Sequence, residues 1–285
     1  MSHRVGRMNG KVCMITGATA GIGELTALEL AKRGAIVVIV SRSRERCENT
    51  VGRIQQETNN SQIDYLVADL SSLAQIRQVA EDFKGRYQRL DVLVNNAGAF
   101  FMRRHESVDG FEMTFALDHL SYYLLTLLLL DLLEDSAPAR IINVSSDAHQ
   151  GGRINFDDLN AEKKFSGWKA YSQAKLANVL FTYELDRHLK GKGITSNALH
   201  PGFIASQFAK NNGALSRAAM SVVHLIAKTP QQGARTSVYL ASSADVEGVS
   251  GKYFVDEKPA RSSPISYDRS VAERLWQVSA EMVGL

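Results

Sequence analysis

Tyr171 and Lys175 stand four residues apart, a spacing that sets two side chains on one helix face within reach of one ligand. A free tyrosine ionises near pH 10, so about one in a thousand is charged at neutral pH. An ammonium roughly 4.5 Å away, at an effective dielectric of about 20, favours the phenolate by about 3.7 kcal/mol. The phenol pKa would then fall by about 2–3, near enough to neutrality to exchange a proton with a ligand oxygen. Ser145-Ser146 offers two hydroxyls that can hold such an oxygen.

A second set of residues is shaped for phosphate. In Thr16-Gly-Ala-Thr-Ala-Gly-Ile-Gly23, Gly17 and Gly21 permit backbone angles or close approaches that a Cβ blocks, and Gly23 lets the following helix pack tightly. Thr19, Ala20 and Ile22 complete a helix start whose N–H groups and dipole face a pyrophosphate. The spacing Gly-x3-Gly-x-Gly departs from the usual Gly-x-Gly-x-x-Gly. Where an acidic residue would meet the adenosine ribose stands Ser41-Arg42, followed by Arg44 and Arg46. Arg42 can present a planar fork to a 2′-phosphate, which points to NADP(H) in preference to NAD(H). The plainer alternative is three solvated arginines at a helix start.

Strand-length apolar runs position these groups. They begin at Val12, Ile36, Tyr65, Val92, Ile141, Ser196 and Tyr253. The run at 36–40 is apolar throughout, as a parallel strand buried on both faces would be. Helix-length segments lie between the runs. One extends from about Ile22 to Arg33 and stops at Gly34, and another follows the capping residue Ser43. The last carries Val271, Leu275, Val278 and Met282 on one stripe. This alternation predicts an α/β fold, a single doubly wound parallel sheet with helices on both faces, of the Rossmann type. Residues 1–9 are expected to be a short N-terminal extension and 10–285 a single dinucleotide-binding and catalytic domain.

With 285 residues, 45% of them apolar and 22% charged, the chain has enough material for a large core. Its net charge of +3 gives no argument for a nucleic-acid partner. The apolar stretch from Tyr122 to Leu133 is too short for a transmembrane segment of about 20 residues. Two cysteines, Cys13 and Cys47, make no disulfide framework, and seven histidines show no metal-ligand spacing, so no metal is expected. With no signal-peptide pattern before Lys11, a cytoplasmic location is the expectation.

Four ordered motifs resemble the short-chain dehydrogenases/reductases, especially their retinol-dehydrogenase-like branch: Thr16 to Gly23, Asn95-Asn-Ala-Gly98, Tyr171-Ser-Gln-Ala-Lys175 and His200-Pro-Gly202. The resemblance runs from about residue 10 to the C-terminus. It implies Tyr171 as general acid/base, Ser146 as holder of the substrate oxygen, and for Lys175 a second duty, hydrogen bonding the nicotinamide ribose hydroxyls. It also implies cofactor contacts from Asn96, Ala97 and Gly98, from Asp69 and Leu70 after the third strand, and from Pro201, Gly202 and Ser206 beside the nicotinamide. Ser145 is expected to satisfy backbone groups instead, and Asp69 can equally cap a helix.

Asp118 stands where this family usually has asparagine, in Phe115-Ala-Leu-Asp-His-Leu120. The main-chain carbonyl that serves the family's proton relay survives the change, while the amide donor is lost. An ionised carboxylate roughly 7 Å from Tyr171 would oppose the phenolate by about 2.4 kcal/mol. Asp118 is therefore expected to be protonated, to point away, or to weaken catalysis. By the same resemblance Phe100, Phe101, Met102 and Phe203, with the apolar segment 207–228, are expected to wall the cleft, the alternative being that they merely pack a flap on the core. As walls they favour a small hydrophobic carbonyl or alcohol as the substrate of an NADP-dependent oxidoreductase. Two other readings are a low-turnover cofactor-binding scaffold or sensor, motivated by Asp118, and a reductase of a polyketide or steroid-like ketone. The helix at 122–133, apolar nearly all round, is expected to meet a partner subunit in a homodimer or homotetramer, or to be internal. His119, His149 and His200 are expected to be structural or cleft-lining.

Overall fold

In the computed structural model, which describes residues 8–202 and 229–285, the run at 36–40 is apolar because both its faces are covered. Val37 and Ile39 join one hydrophobic core, and Val38 and Val40 join another on the opposite face. Seven strands run parallel: β1 (Val12–Thr16), β2 (Ile36–Ser41), β3 (Ile63–Val67), β4 (Val92–Asn95), β5 (Ala139–Val144), β6 (Ile194–His200) and β7 (Lys252–Val255). All lie in one sheet, in the order β3-β2-β1-β4-β5-β6-β7. The order reverses between β1 and β4, so a crevice opens at the C-terminal ends of those two strands.

The sheet departs from the expected all-parallel form at one edge. β8 (Lys258–Ala260) is antiparallel to β7 and reaches it through a two-residue turn. Asp256 and Glu257 adopt φ of 50° and 64° there, the left-handed angles a tight hairpin needs. Neither residue is glycine or asparagine, so the turn carries no strong sequence signal.

One face is covered by α1 (Gly21–Lys32), α2 (Arg44–Thr58) and α8 (Pro230–Ser242), whose Leu30, Ile54 and Val238 share a core. The other face carries α3 (Leu73–Arg86), α5 (Ser121–Leu128), α7 (Gly167–His188) and α9 (Arg269–Val283), through Phe83, Leu124, Leu180 and Leu275. The ends follow local chemistry. Gly34 takes φ +84° after α1, and the Ser43 hydroxyl accepts from the Arg46 N–H at the start of α2. In α9 the fully buried line is Ala272, Leu275, Ser279 and Val283, with Val271, Val278 and Met282 half-buried beside it.

The helix expected over 122–133 is interrupted. A short α4 (Met113–Phe115) runs through a π-turn at Ala116–Leu120 into α5, and after a break at Leu129 comes α6 (Leu130–Asp135). Residues Ser121 to Thr126 are buried inside the chain on every side. Internal packing therefore accounts for that apolar character, and Leu127, Leu128, Leu130 and Leu132 stay half-buried.

Candidate active site

Thr16 ends β1 and ties the glycine turn to the end of β4. Its Oγ1 accepts from the Asn96 N–H at 2.9 Å and the Ala97 N–H at 3.0 Å. Asn96 Nδ2 donates back to the Thr16 carbonyl at 2.8 Å and to the Gly17 carbonyl at 3.3 Å. The expected cofactor residue Asn96 thus has its side chain engaged in bracing the turn. Gly17 takes φ +66°, and a Cβ there would lie 2.7 Å from Ala97 Cα. A Cβ on Gly23 would run into Asn96 Nδ2 and the Gly17 carbonyl, so Gly23 permits the helix to close on the turn itself.

This cradle fits a dinucleotide. Thr19, Ala20, Gly21 and Ile22 are partly exposed, Gly21 has φ +59°, and Ala20 caps α1 with no side-chain hydrogen bond. The N–H groups that open α1 can therefore receive phosphate oxygens. Thr19 Oγ1 lies 3.1 Å from Ser41 Oγ, which joins the turn to the end of β2. Arg42 is exposed next to it, and Arg44 donates to the Tyr65 hydroxyl at 3.1 Å. Asp69 closes a local turn by accepting from the Ser71 N–H at 2.9 Å and hydroxyl at 2.7 Å. Ser72, not Asp69, caps α3, and Leu70 is buried.

Across the switch point, β5 and α7 bring the remaining residues together. The Ser145 hydroxyl donates to the Lys175 carbonyl at 2.7 Å, a backbone role that leaves Ser146 facing the cleft side. Ser146 Oγ hydrogen-bonds Tyr171 and also accepts from the Ala148 N–H at 3.2 Å. Lys175 Nζ sits 5.5 Å from the Tyr171 ring centre. Phe100 meets the Tyr171 ring edge-on at 5.9 Å, and Trp168 lies at 6.3 Å. The exposed side chains of Trp168 and Met102 complete an apolar rim. Pro201 and Gly202 follow β6, Gly202 with φ +94°. Ser206, Phe203 and the segment 207–228 lie outside the described residues.

Asp118 does not point away, but turns to Lys175. From the π-turn its Oδ2 forms a buried ion pair with Lys175 Nζ at 3.0 Å, and its Oδ1 accepts from the Ala99 N–H at 2.8 Å. Gly98 makes room for this pair, since a Cβ there would sit 2.9 Å from Oδ2. Burial pulls the Asp118 pKa up, against the Lys175 charge and the Ala99 N–H. The expected lowering of the Tyr171 pKa does not occur. Burial foremost, then the Asp118 charge, push that phenol above the ordinary tyrosine range, against the Ser146 hydrogen bond. The Lys175 ammonium is not free to act on the phenol alone, because Asp118 engages it.

Two neighbours carried no expectation. Asn178, one turn beyond Lys175, donates from Nδ2 to the Asp118 carbonyl at 2.8 Å. Gln173 holds the long loop before α7 by accepting from the Asn155 N–H at 2.9 Å and donating to the Leu159 carbonyl at 3.1 Å. Both share α7 with the Tyr–Lys pair, the one signal that could have found them. Among the described residues, no cluster of His, Cys, Asp or Glu could hold a metal.

A doubly wound sheet whose switch point carries a phosphate-shaped turn defines the class, a dinucleotide-binding fold. The family model described as short chain dehydrogenase matches residues 11–215, and the chain belongs to that family. It is similar to retinol dehydrogenase 14 of Mus musculus, 44% identical with 98% of this chain and 88% of the relative covered. Among solved structures, an uncharacterised protein of Mycobacterium paratuberculosis is 32% identical with a TM-score of 0.80, covering 99% of this chain and 96% of that one. Pseudomonas aeruginosa RhlG, in an NADP active-site complex, is 29% identical with a TM-score of 0.70, covering 86% and 94%.

Proposed function

We propose that this chain is an NADP(H)-dependent oxidoreductase interconverting a nonpolar aldehyde or ketone and its alcohol. The observation that carries the reading is the Ser146–Tyr171 hydrogen bond beside Lys175, all three within one apolar-rimmed cluster. Ser146 and the Tyr171 hydroxyl hold the substrate oxygen between them. In carbonyl reduction Tyr171 gives that oxygen its proton, and in alcohol oxidation it takes the proton back. Lys175, beside the Tyr171 ring, faces the emerging phenolate and would hold the ribose hydroxyls of a bound nicotinamide. A bound nicotinamide supplies or accepts the hydride, chemistry that belongs to the cofactor. Gly17 to Gly23 would hold the phosphates, and Gly98, Pro201 and Gly202 would border the nicotinamide end.

NADP(H) is favoured by the exposed Arg42 beside Ser41 and by the NADP complex of the RhlG relative. Phe100, Met102 and Trp168 favour an apolar ligand, in keeping with the name of the retinol dehydrogenase relative. Two free buried cysteines suit a reducing compartment, the cytoplasm in this reading. No helix among the described residues is long and apolar enough to cross a membrane.

The test follows NADPH and NADH oxidation at 340 nm against retinal, nonanal and benzaldehyde, with Tyr171→Phe alongside. Turnover with NADPH should fall by about 10²-fold or more in Tyr171→Phe, because the acid is lost. An unchanged rate would overturn the role of Tyr171, and a preference for NADH would overturn that of Arg42. The Asp118–Lys175 ion pair favours one second reading, the low-turnover cofactor-binding scaffold. NADPH binding without turnover of any carbonyl would select it.

A further inference from the structure

We propose that His149 is a positioning residue for Ser146, fixing it against Tyr171 through a closed circuit of hydrogen bonds. The proposal rests on the reading of Ser146 given above. His149 lies three residues after Ser146, in the 3-10 turn Asp147–Gly151, and is fully buried. Its Nδ1 is 2.7 Å from the Ser146 carbonyl, and its Nε2 is 3.0 Å from the Ser263 N. A backbone N–H can only donate, so Nε2 is the acceptor and the ring proton is on Nδ1, donated to Ser146. The tautomer follows from the partners, and both nitrogens are engaged. The ring also packs on Tyr253, centre to centre 4.7 Å.

The far end of this link returns to the catalytic helix. Ser262, next to Ser263, has its Oγ 2.7 Å from the Tyr183 hydroxyl of α7. Ser266 Oγ donates to the Ser263 carbonyl at 2.6 Å, and Tyr267 stacks on Tyr183 at 5.4 Å. The path runs from Tyr183 through Ser262 and Ser263 to His149 and then Ser146. Tyr171 stands on the same helix, so the two ends of the substrate-oxygen site share one rigid reference. Ser145 supplies the other tether, through the Lys175 carbonyl of α7. Without the His149 ring, Ser146 keeps that tether and the bonds of its own turn, from the Ala148 N–H and the His149 N–H, but loses the link to Ser263, and misplacement by a fraction of an ångström is costly in a site that must hold reacting atoms in line.

The experiment compares His149→Phe, which keeps a ring against Tyr253 without either nitrogen, with His149→Asn, whose side-chain amide can still donate to the Ser146 carbonyl. Steady-state kcat is measured with NADPH and the fastest-reduced aldehyde of the panel, and NADPH affinity separately by fluorescence titration. The expected result is a fall in kcat of about tenfold or more in His149→Phe. NADPH affinity should stay within about twofold, and kcat should largely recover in His149→Asn even where its Tm is no higher. A merely structural histidine would make kcat follow Tm and would show no rescue. If His149→Phe does not accumulate as folded protein, His149→Ala takes its place in the same comparison. Unchanged kcat in the nitrogen-free variant, or no recovery in His149→Asn, overturns the proposal. Ser146→Ala separates the two readings. Its loss of turnover beside an unaffected His149→Phe rejects this inference alone, whereas unimpaired turnover in Ser146→Ala rejects the serine role and the inference with it.

Discussion

The ammonium of Lys175 lies 3.0 Å from Asp118 Oδ2 and 5.5 Å from the centre of the Tyr171 ring. Its charge is therefore largely answered before the phenol can use it, and the carboxylate adds to the burial that keeps the phenol protonated. A tyrosine held above its ordinary pKa is a ready acid at neutral pH and a poor base. Reduction should keep a flat profile through neutrality, since the required form is the protonated one. Oxidation needs the phenolate and should rise with pH across the whole accessible range. Replacing the carboxylate by an amide in Asp118→Asn removes one of the two causes of the upward shift. The oxidation profile should move to lower pH, and kcat should rise by about tenfold, the equivalent of about 1.4 kcal/mol. Initial rates in both directions from pH 6 to 10 check this. An unmoved profile, or a lower kcat, would show that the ion pair helps Lys175 more than it hinders Tyr171.

At the scale of elements, chemistry depends on how closely two turns approach. Gly17 combines a left-handed φ with a backbone neighbour, Ala97 Cα, that no rotamer change can move aside. Gly17→Ala should push the β1 and β4 turns apart, weaken NADPH binding by about tenfold or more, and lower Tm. Gly52 supplies the contrast, because its Cβ position on α2 meets open space. Gly52→Ala should raise stability by about 0.5–1 kcal/mol and leave NADPH affinity unchanged. Fluorescence titration and thermal melts read both variants, and wild-type affinity in Gly17→Ala would reject the close-approach argument. Sequence made this region legible because glycine spacing and strand-length apolar runs report backbone needs directly. It could not give the direction of the Asp118 side chain, since the motif fixes a position and the π-turn decides where that side chain points. Leu129 likewise gives no warning that the helix breaks there. β8 went unseen because three residues, one of them proline and two exposed, make no periodic signal.

Across the whole molecule the sheet divides its labour between its two ends. The C-terminal ends of the strands carry the Ser–Tyr–Lys cluster and the glycine turn, while the N-terminal ends near β1, β4 and β5 are clamped by Asp91. This aspartate is buried and accepts from Lys11 Nζ at 2.7 Å, from the Val12 N–H at 2.9 Å, and from Arg89 at 2.8 and 2.6 Å. Its carbonyl also receives the Arg140 N–H at 2.8 Å. Burial pulls the carboxyl pKa up, but Arg89, Lys11 and the Val12 N–H together hold it below the usual carboxylate range. A depressed native pKa means that the unfolded chain binds the proton more readily. The contribution of Asp91 to stability is thus complete above the unfolded pKa and lost as pH falls through the native one. Asp91→Asn should cost about 2 kcal/mol at pH 7, a figure kept modest because Lys11 and Arg89 are partly exposed and return to water. The difference from the unsubstituted chain should shrink steadily below about pH 5. Because the clamp lies at the end of the sheet opposite the reacting groups, kcat at a temperature where both proteins are folded should be unchanged. Urea denaturation at pH 7 and pH 4, with kcat measured on the same samples, tests both halves. A destabilisation independent of pH would mean that Asp91 acts through packing rather than charge, and a parallel loss of kcat would mean that the two ends of the sheet are coupled.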